Sequence, residues 1–273
     1  MNKSSWRSWQ GGRTVRKKLL LLQAFFKKQV IYFRRYLLNT LGGMLTLYCI
    51  FLLILGGYRG LSGPTGLTGD TVEALVVGYV MWFFLYTTYQ DVAQQIRSEA
   101  LTGTLEQLYM SVHGFGWVIG AHVLAAFIAN LFMAAVLLAA AMRTAGTVLH
   151  INLPALLPVF VGTLLGPVGL GLIIAGLTLI FQRIDSYTQI VQFLLIGLVA
   201  MPAEKVAWMR LLPGSFGAGL VREMMVRGRG LAEIGLSRLL LLFAIGAVHL
   251  LLGYGVYKLC EKRAMSRGLL GHY

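Results

Sequence analysis

The fold class this sequence predicts is an all-α integral membrane protein with about six transmembrane helices. Three observations lead there. The 273 residues are 57% hydrophobic and only 12% charged, with a mean hydropathy of +0.72, whereas a soluble domain carries about twice that charged fraction. The apolar residues fall in runs of about 20, the length a helix needs to cross the hydrocarbon core. The basic residues gather beside those runs, at Arg13 to Lys18, Lys27 to Arg35 and Lys258 to Arg267.

Residues 1–35 are expected to be a cytoplasmic segment. Within it, Val15 to Arg35 reads as an amphipathic helix: Leu19, Leu22, Phe26, Val30 and Phe33 share one face, and Lys17, Lys27, Lys28, Arg34 and Arg35 lie to the other side. Such a helix lies in the headgroup plane with its apolar side in the acyl chains. The plainer alternative is a basic juxtamembrane tail. The basic run is too long for a secretory signal peptide, and no small-residue cleavage site follows the first apolar stretch.

Residues 36–258 are expected to form the transmembrane domain. The first span runs from about Tyr36 to Gly57, and the Gly/Pro-rich turn Gly57 to Gly69 closes it. The second runs from about Thr71 to Asp91, the third from Trp117 to Met142, and the fourth from Leu153 to Phe181. After the charged turn Gln182 to Ser186, a fifth span ends near Met201-Pro202, and the last runs from about Gly235 to Tyr257. Residues 94–116 then form a polar connection on one side, and residues 259–273 a basic tail. Residues 203–234 contain the break Pro213-Gly214 between short apolar stretches, the pattern of an outer re-entrant region.

An even number of spans puts both termini on one side, and the Lys/Arg balance makes that side cytoplasmic. This gives a multi-pass protein of the cell (inner) membrane. One cluster fits badly: Lys205, Arg210, Arg222, Arg227, Arg229 and Arg238 lie in or beside the last outer connection, partly offset by Glu204, Glu223 and Glu233. The formal net charge of +14 is therefore read as contact with anionic membrane lipid. Nucleic acid is not an expected partner, because no recognition motif accompanies the charge.

In the fourth span, Gly162 and Gly166 have the GxxxG spacing that lets helices approach closely. His122 and His249 are the ionisable residues well inside the spans, and both read as packed, hydrogen-bonded imidazoles. Glu73, Asp91 and Asp185 are placed near span ends, where water reaches them. Cys49 and Cys260 lack the spacing of a disulfide or metal framework and read as packing residues. The sequence holds no phosphate-binding loop, no His-Glu-x-x-His and no Gly-x-Ser-x-Gly. No catalytic residue, metal or cofactor is expected, and the chain reads as a transport subunit without its own engine.

The segment Glu99-Ala100-Leu101-Thr102-Gly103-Thr104-Leu105-Glu106-Gln107-Leu108 is a polar island between the second and third spans. Gly103-Thr104 can end one helix and start another, with the Thr104 hydroxyl as N-cap and Gln107 at capping-box spacing. Glu106 suits the positive end of that new helix. Leu101, Leu105 and Leu108 form an apolar side that has no membrane to bury it, and a groove on another protein is its natural receiver.

The island resembles the Glu-x-x-x-Gly-Thr-Leu-Glu-x-Leu signature of ABC-2 type transporter permeases. The amphipathic basic helix, the Leu212-Pro213-Gly214-Ser215 region and the ending Glu261 to Tyr273 are similar to that family as well, so the resemblance covers almost the whole chain. Two departures stand out. The family often has a proline a few residues after Leu108, where this chain reads Tyr109-Met110-Ser111-Val112-His113, and Ala100 is often charged in relatives. These leave the identity of the ATPase partner open.

The resemblance implies an ABC-2 exporter fold and a permease homodimer or heterodimer working with two separate ABC ATPase subunits. It also implies that Glu99, Gly103, Thr104, Leu105, Glu106, Gln107 and Leu108 pass the ATPases' movement to the spans. The cargo would be hydrophobic or amphipathic, such as a drug or lipid. The alternatives are a polysaccharide or glycan exporter permease, an ion-coupled secondary transporter, and a membrane scaffold.

Overall fold

The computed structural model describes residues 3–62, 69–104, 107, 110, 115–181, 185–200 and 207–266, and the structural statements that follow concern these residues. They form the helices α1 (Lys3–Arg35), α2 (Leu37–Ser62), α3 (Gly69–Leu101), α4 (Phe115–Ala145), α5 (Leu153–Phe181) and α6 (Asp185–Ala200). A 3-10 turn (Ala207–Leu211), α7 (Ser215–Arg227), the single turn α8 (Leu231–Ile234) and α9 (Leu236–Ser266) complete the chain. There is no strand among the described residues.

Five helices are long and apolar enough to cross a membrane: Leu37–Gly60, Thr71–Leu101, Phe115–Ala145, Leu153–Phe181 and Leu236–Ser266. The expected fifth span is α6, which has 16 residues. At 1.5 Å per residue these described residues extend about 24 Å, and the expected end of the span at Met201-Pro202 lies outside the described residues.

Two helices outrun their expected spans, for the same reason. α3 continues ten residues past Asp91 because Val92, Ile96 and Ala100 carry a buried apolar stripe along its polar last turns. α9 continues nine residues past Tyr257 into the basic tail, with Cys260, Glu261 and Ala264 buried. The two extensions meet. Val92, Ile96 and Ala100 pack with Phe115, Leu172 and Tyr257 in one cluster, and Phe115 stacks on Tyr257 with ring centroids 5.2 Å apart. This end of the bundle is called the island end. The opposite end, where α4 passes into α5, is the hairpin end.

α3 is the central helix. Phe84 contacts Phe127 of α4 and Phe160 of α5 edge-on, at 5.8 and 5.2 Å. α2 is the reverse case: Leu38, Leu45 and Leu53 are 86, 62 and 76% exposed, an apolar surface suited to hydrocarbon and costly in water.

α5 and α9 run parallel along a seam of small residues. A Cβ on Gly169 would overlap the His249 carbonyl, and one on Gly253 would overlap the Gly169 carbonyl. Gly162 faces Leu242 and Phe243, and Gly246 faces Leu165 and the Gly162 carbonyl. At the island end, Gly176 lies against Tyr257 and Cys260. Gly162, Gly169 and Gly176 therefore repeat at seven residues on α5, as Gly246, Gly253 and Cys260 do on α9. A seven-residue repeat keeps one face on its partner along several turns. Gly162 and Gly166 do not share a partner: Gly162 belongs to the seam, whereas Gly166 faces Gly214 N and Pro213, 3.2 to 3.4 Å from where its Cβ would stand.

Candidate functional site

The island begins as the last turn of α3. Gly103, at φ 68°, closes that helix in the left-handed conformation. Its N–H donates to the Ala100 carbonyl at 3.1 Å, and the Thr104 N–H reaches back to the Glu99 carbonyl at 3.0 Å. These are the two backbone bonds of a Schellman motif, which satisfy carbonyls that a helix end leaves free.

Side chains reinforce the stop. The Thr104 hydroxyl donates to Glu99 Oε2 at 2.5 Å, while Glu99 Oε1 accepts from Gln95 Nε2 at 2.8 Å. Lys28 of α1 donates to Gln95 Oε1 at 3.4 Å. A line of polar contacts thus runs from α1 through Gln95 and Glu99 to Thr104. Thr104 binds back toward α3 in these contacts, whereas its sequence position suggests the start of the next helix. Leu105, Glu106 and Leu108 lie outside the described residues. Gln107 and Gly103 are exposed, and Leu101 is 53% exposed at the edge of the turn.

α1 runs beside the island end. Lys18 Nζ stands 3.9 Å over the Trp117 ring, and Phe25 meets His122 edge-on at 5.9 Å. Leu22, Phe26 and Phe33 of the expected apolar face are partly covered, while Leu19 and Val30 are exposed. The helix therefore rests one edge on α4 and leaves apolar side chains outward.

Pro213 and Gly214 lie halfway along the bundle. Gly214, at φ 80°, holds a turn in which a Cβ would stand 2.6 Å from Leu85 Cδ1, and Gly166 closes the other side. Leu85 and Gly166 are each near the middle of their helix. From this turn α7 climbs to the hairpin end, where the His150 N–H donates to the Met225 carbonyl at 2.9 Å. Gly217 of α7 touches Thr163, so no larger residue fits there. Arg222 Nη2 donates to the Val199 carbonyl at 2.6 Å, which satisfies a carbonyl in the last described turn of α6.

The arginine-rich connection is partly neutralised from within. Glu223, buried on α7, pairs with Arg229 and with Arg238 Nη1, the latter at 2.9 Å. Two of the charges that fit the basic asymmetry badly are thereby paired within the fold.

A polar pair that the sequence does not bring together sits between α3 and α4. Asn130 Nδ2 donates to Asp91 Oδ2 at 2.6 Å. Asp91 is expected at a span end, in reach of water, but the continuation of α3 places it inside the bundle. His122 is buried against Phe25 of α1, and its Nε2 has no hydrogen-bond partner among the described residues, so the expected hydrogen bond is not found at that nitrogen. His249 Nδ1 lies 2.8 Å from the Ile245 carbonyl of its own helix. Cys260 is buried against Gly176, whereas Cys49 is exposed.

Near the hairpin end, α3, α4, α5 and α7 border a partly open cavity of about 760 Å³. Val77, Met81, Leu138, Met142, Phe160 and Met225 are among its walls, and Arg143 is its one charged residue.

These features define a helical, multi-pass membrane protein whose two conspicuous sites are a polar break at one end of the bundle and an apolar chamber near the other. No family model matches the chain, and neither curated proteins nor solved structures give a significant match.

Proposed function

We propose that this chain is the membrane subunit of an ATP-driven exporter of the ABC-2 permease type. It acts as a pair of permease chains with two separate ATPase subunits and moves a hydrophobic or amphipathic substrate across the cell membrane. The observation that carries this reading is the island. It is a sharply terminated, exposed break between two long helices, and its sequence is the part that most resembles the family signature.

The physical argument concerns transmission. Glu99 is bonded both to Thr104 in the turn and to Gln95 on α3, so a push on the turn acts directly on the central helix. α3 packs against α4, α5, α6 and α7. A partner that binds the island in only one state of its nucleotide cycle biases the bundle by the difference in binding energy. The Pro213-Gly214 turn, seated against the middle of α3 and α5, is the element such a bias moves with least loss of helical hydrogen bonding.

The test is copurification of the chain with a phosphate-loop ATPase, followed by transport and ATPase assays in proteoliposomes. Gly103→Val is expected to leave membrane insertion intact and to uncouple hydrolysis from transport. Full transport by this variant, or purification without any ATPase under gentle detergent, contradicts the proposal.

A further inference from the structure

We propose that the chamber near the hairpin end is a binding site for an anionic amphiphile, a hydrocarbon chain carrying a negatively charged head. The chain lies in the chamber and the head pairs with Arg143. This concerns binding by the chain alone and does not rest on the ATPase reading.

The volume of about 760 Å³ lies within the range of about 300–1,000 Å³ over which small organic ligands are held. The lining is almost wholly apolar. A water molecule needs two to four polar partners to be held in a cavity, and away from Arg143 and Thr147 at one end these walls do not supply them. Three methionines, Met81, Met142 and Met225, add adaptable thioether surface that follows an irregular or flexible guest.

One stripe on α4 gives the site its polarity. Ala135, Ala139 and Arg143 follow at i, i+4 and i+8, all lining the chamber and all exposed. Such residues stack on one helix face over about 12 Å. Two alanines leave a groove where larger side chains would close it, and the guanidinium stands at its end in the last turn of α4. There the helix ends at Gly146, and Arg59 donates to the Ala145 carbonyl at 2.8 Å, so a second guanidinium lies at the same level. No hydrogen bond or ion pair to Arg143 occurs among the described residues. A carboxylate or phosphate takes a guanidinium through paired hydrogen bonds, which a neutral head cannot match.

The source of the amphiphile is either the bilayer or the cargo, and the shared chemistry is the chain with its anionic head. The experiment uses the full chain in detergent, without nucleotide, and measures saturable binding of radiolabelled palmitate, its uncharged analogue hexadecanol and phosphatidylglycerol. Arg143→Gln is expected to weaken palmitate by about tenfold, the loss of one charge-assisted interaction, and to leave hexadecanol unchanged. Ala139→Phe, at a position already open to the exterior, is expected to abolish saturable binding of both probes while the protein stays monodisperse. Tighter phosphatidylglycerol than palmitate identifies a bilayer lipid, and the reverse order identifies a free single-chain amphiphile. Equal palmitate binding by the unsubstituted chain, Arg143→Gln and Ala139→Phe overturns the proposal, as does the absence of saturable binding in all three.

Discussion

Gly169 and Gly253 sit where two backbones touch, and a side chain on either one displaces a helix. Gly253→Val places its Cβ on the Gly169 carbonyl and cannot be relieved by a rotamer change, because the obstacle is backbone. Overpacking of this kind costs about 1–3 kcal/mol or more. A lower temperature of thermal unfolding in detergent is the expected readout, with Gly42→Ala, whose Cβ meets nothing within 4 Å, as a neutral control. At the island, Thr104→Val removes the hydroxyl that bonds Glu99 but keeps the Schellman backbone. The loss is about 1 kcal/mol, the net value of one such hydrogen bond. Global stability is therefore expected to change little, while the ratio of transport to ATP hydrolysis falls. An unchanged ratio would show that the Glu99–Thr104 link transmits nothing.

Among the elements, α7 and the turn before it depend most on specific polar contacts. Glu223→Gln keeps the shape of the side chain and removes the charge that Arg229 and Arg238 share. Both arginines are partly exposed and recover some hydration, so the loss is expected near about 2 kcal/mol, below that of a fully buried pair. Thermal unfolding of this variant beside Glu233→Gln, an exposed acid, separates the pairing from a general charge effect. The long helices are legible in the sequence because an uninterrupted apolar run of that length matches the thickness of a bilayer and exceeds what a soluble core helix buries. Their ends are less so. Glu99, Ala100 and Leu101 fall in the polar connection beyond the expected end of the second span at Asp91, and they complete α3, since Val92, Ile96 and Ala100 hold that polar stretch to the bundle. Asp91 and Asn130 are 39 positions apart, and only the packing of two helices shows that they meet. Gly162 and Gly166 stand out at a spacing of four. The repeat that builds the α5–α9 seam is seven, visible in the sequence once both helices are compared. The fifth span is legible as an apolar run up to Pro202, of which the described part is α6, where Arg222 binds the Val199 carbonyl; Met201 and Pro202 lie outside the described residues.

At the scale of the molecule, exposed leucines line α2 and α9, whereas Glu223 and Glu261 are inside. That inversion relative to a water-soluble bundle marks hydrocarbon as the solvent around the helices. The island and the basic end of α9 share one end of the bundle, where Lys258 stands 5.8 Å over the Phe115 ring. With that end on the cytoplasmic side, as the proposal requires, the island is presented to a soluble partner and the chamber lies nearer the opposite leaflet. The most direct measurement is photocrosslinking in intact cells from a benzophenone amino acid placed at the exposed Gln107. The expected result is an adduct with a phosphate-loop ATPase that strengthens or weakens when ATP is depleted. An adduct-free Gln107 that a membrane-impermeant reagent reaches from outside the cell would contradict it.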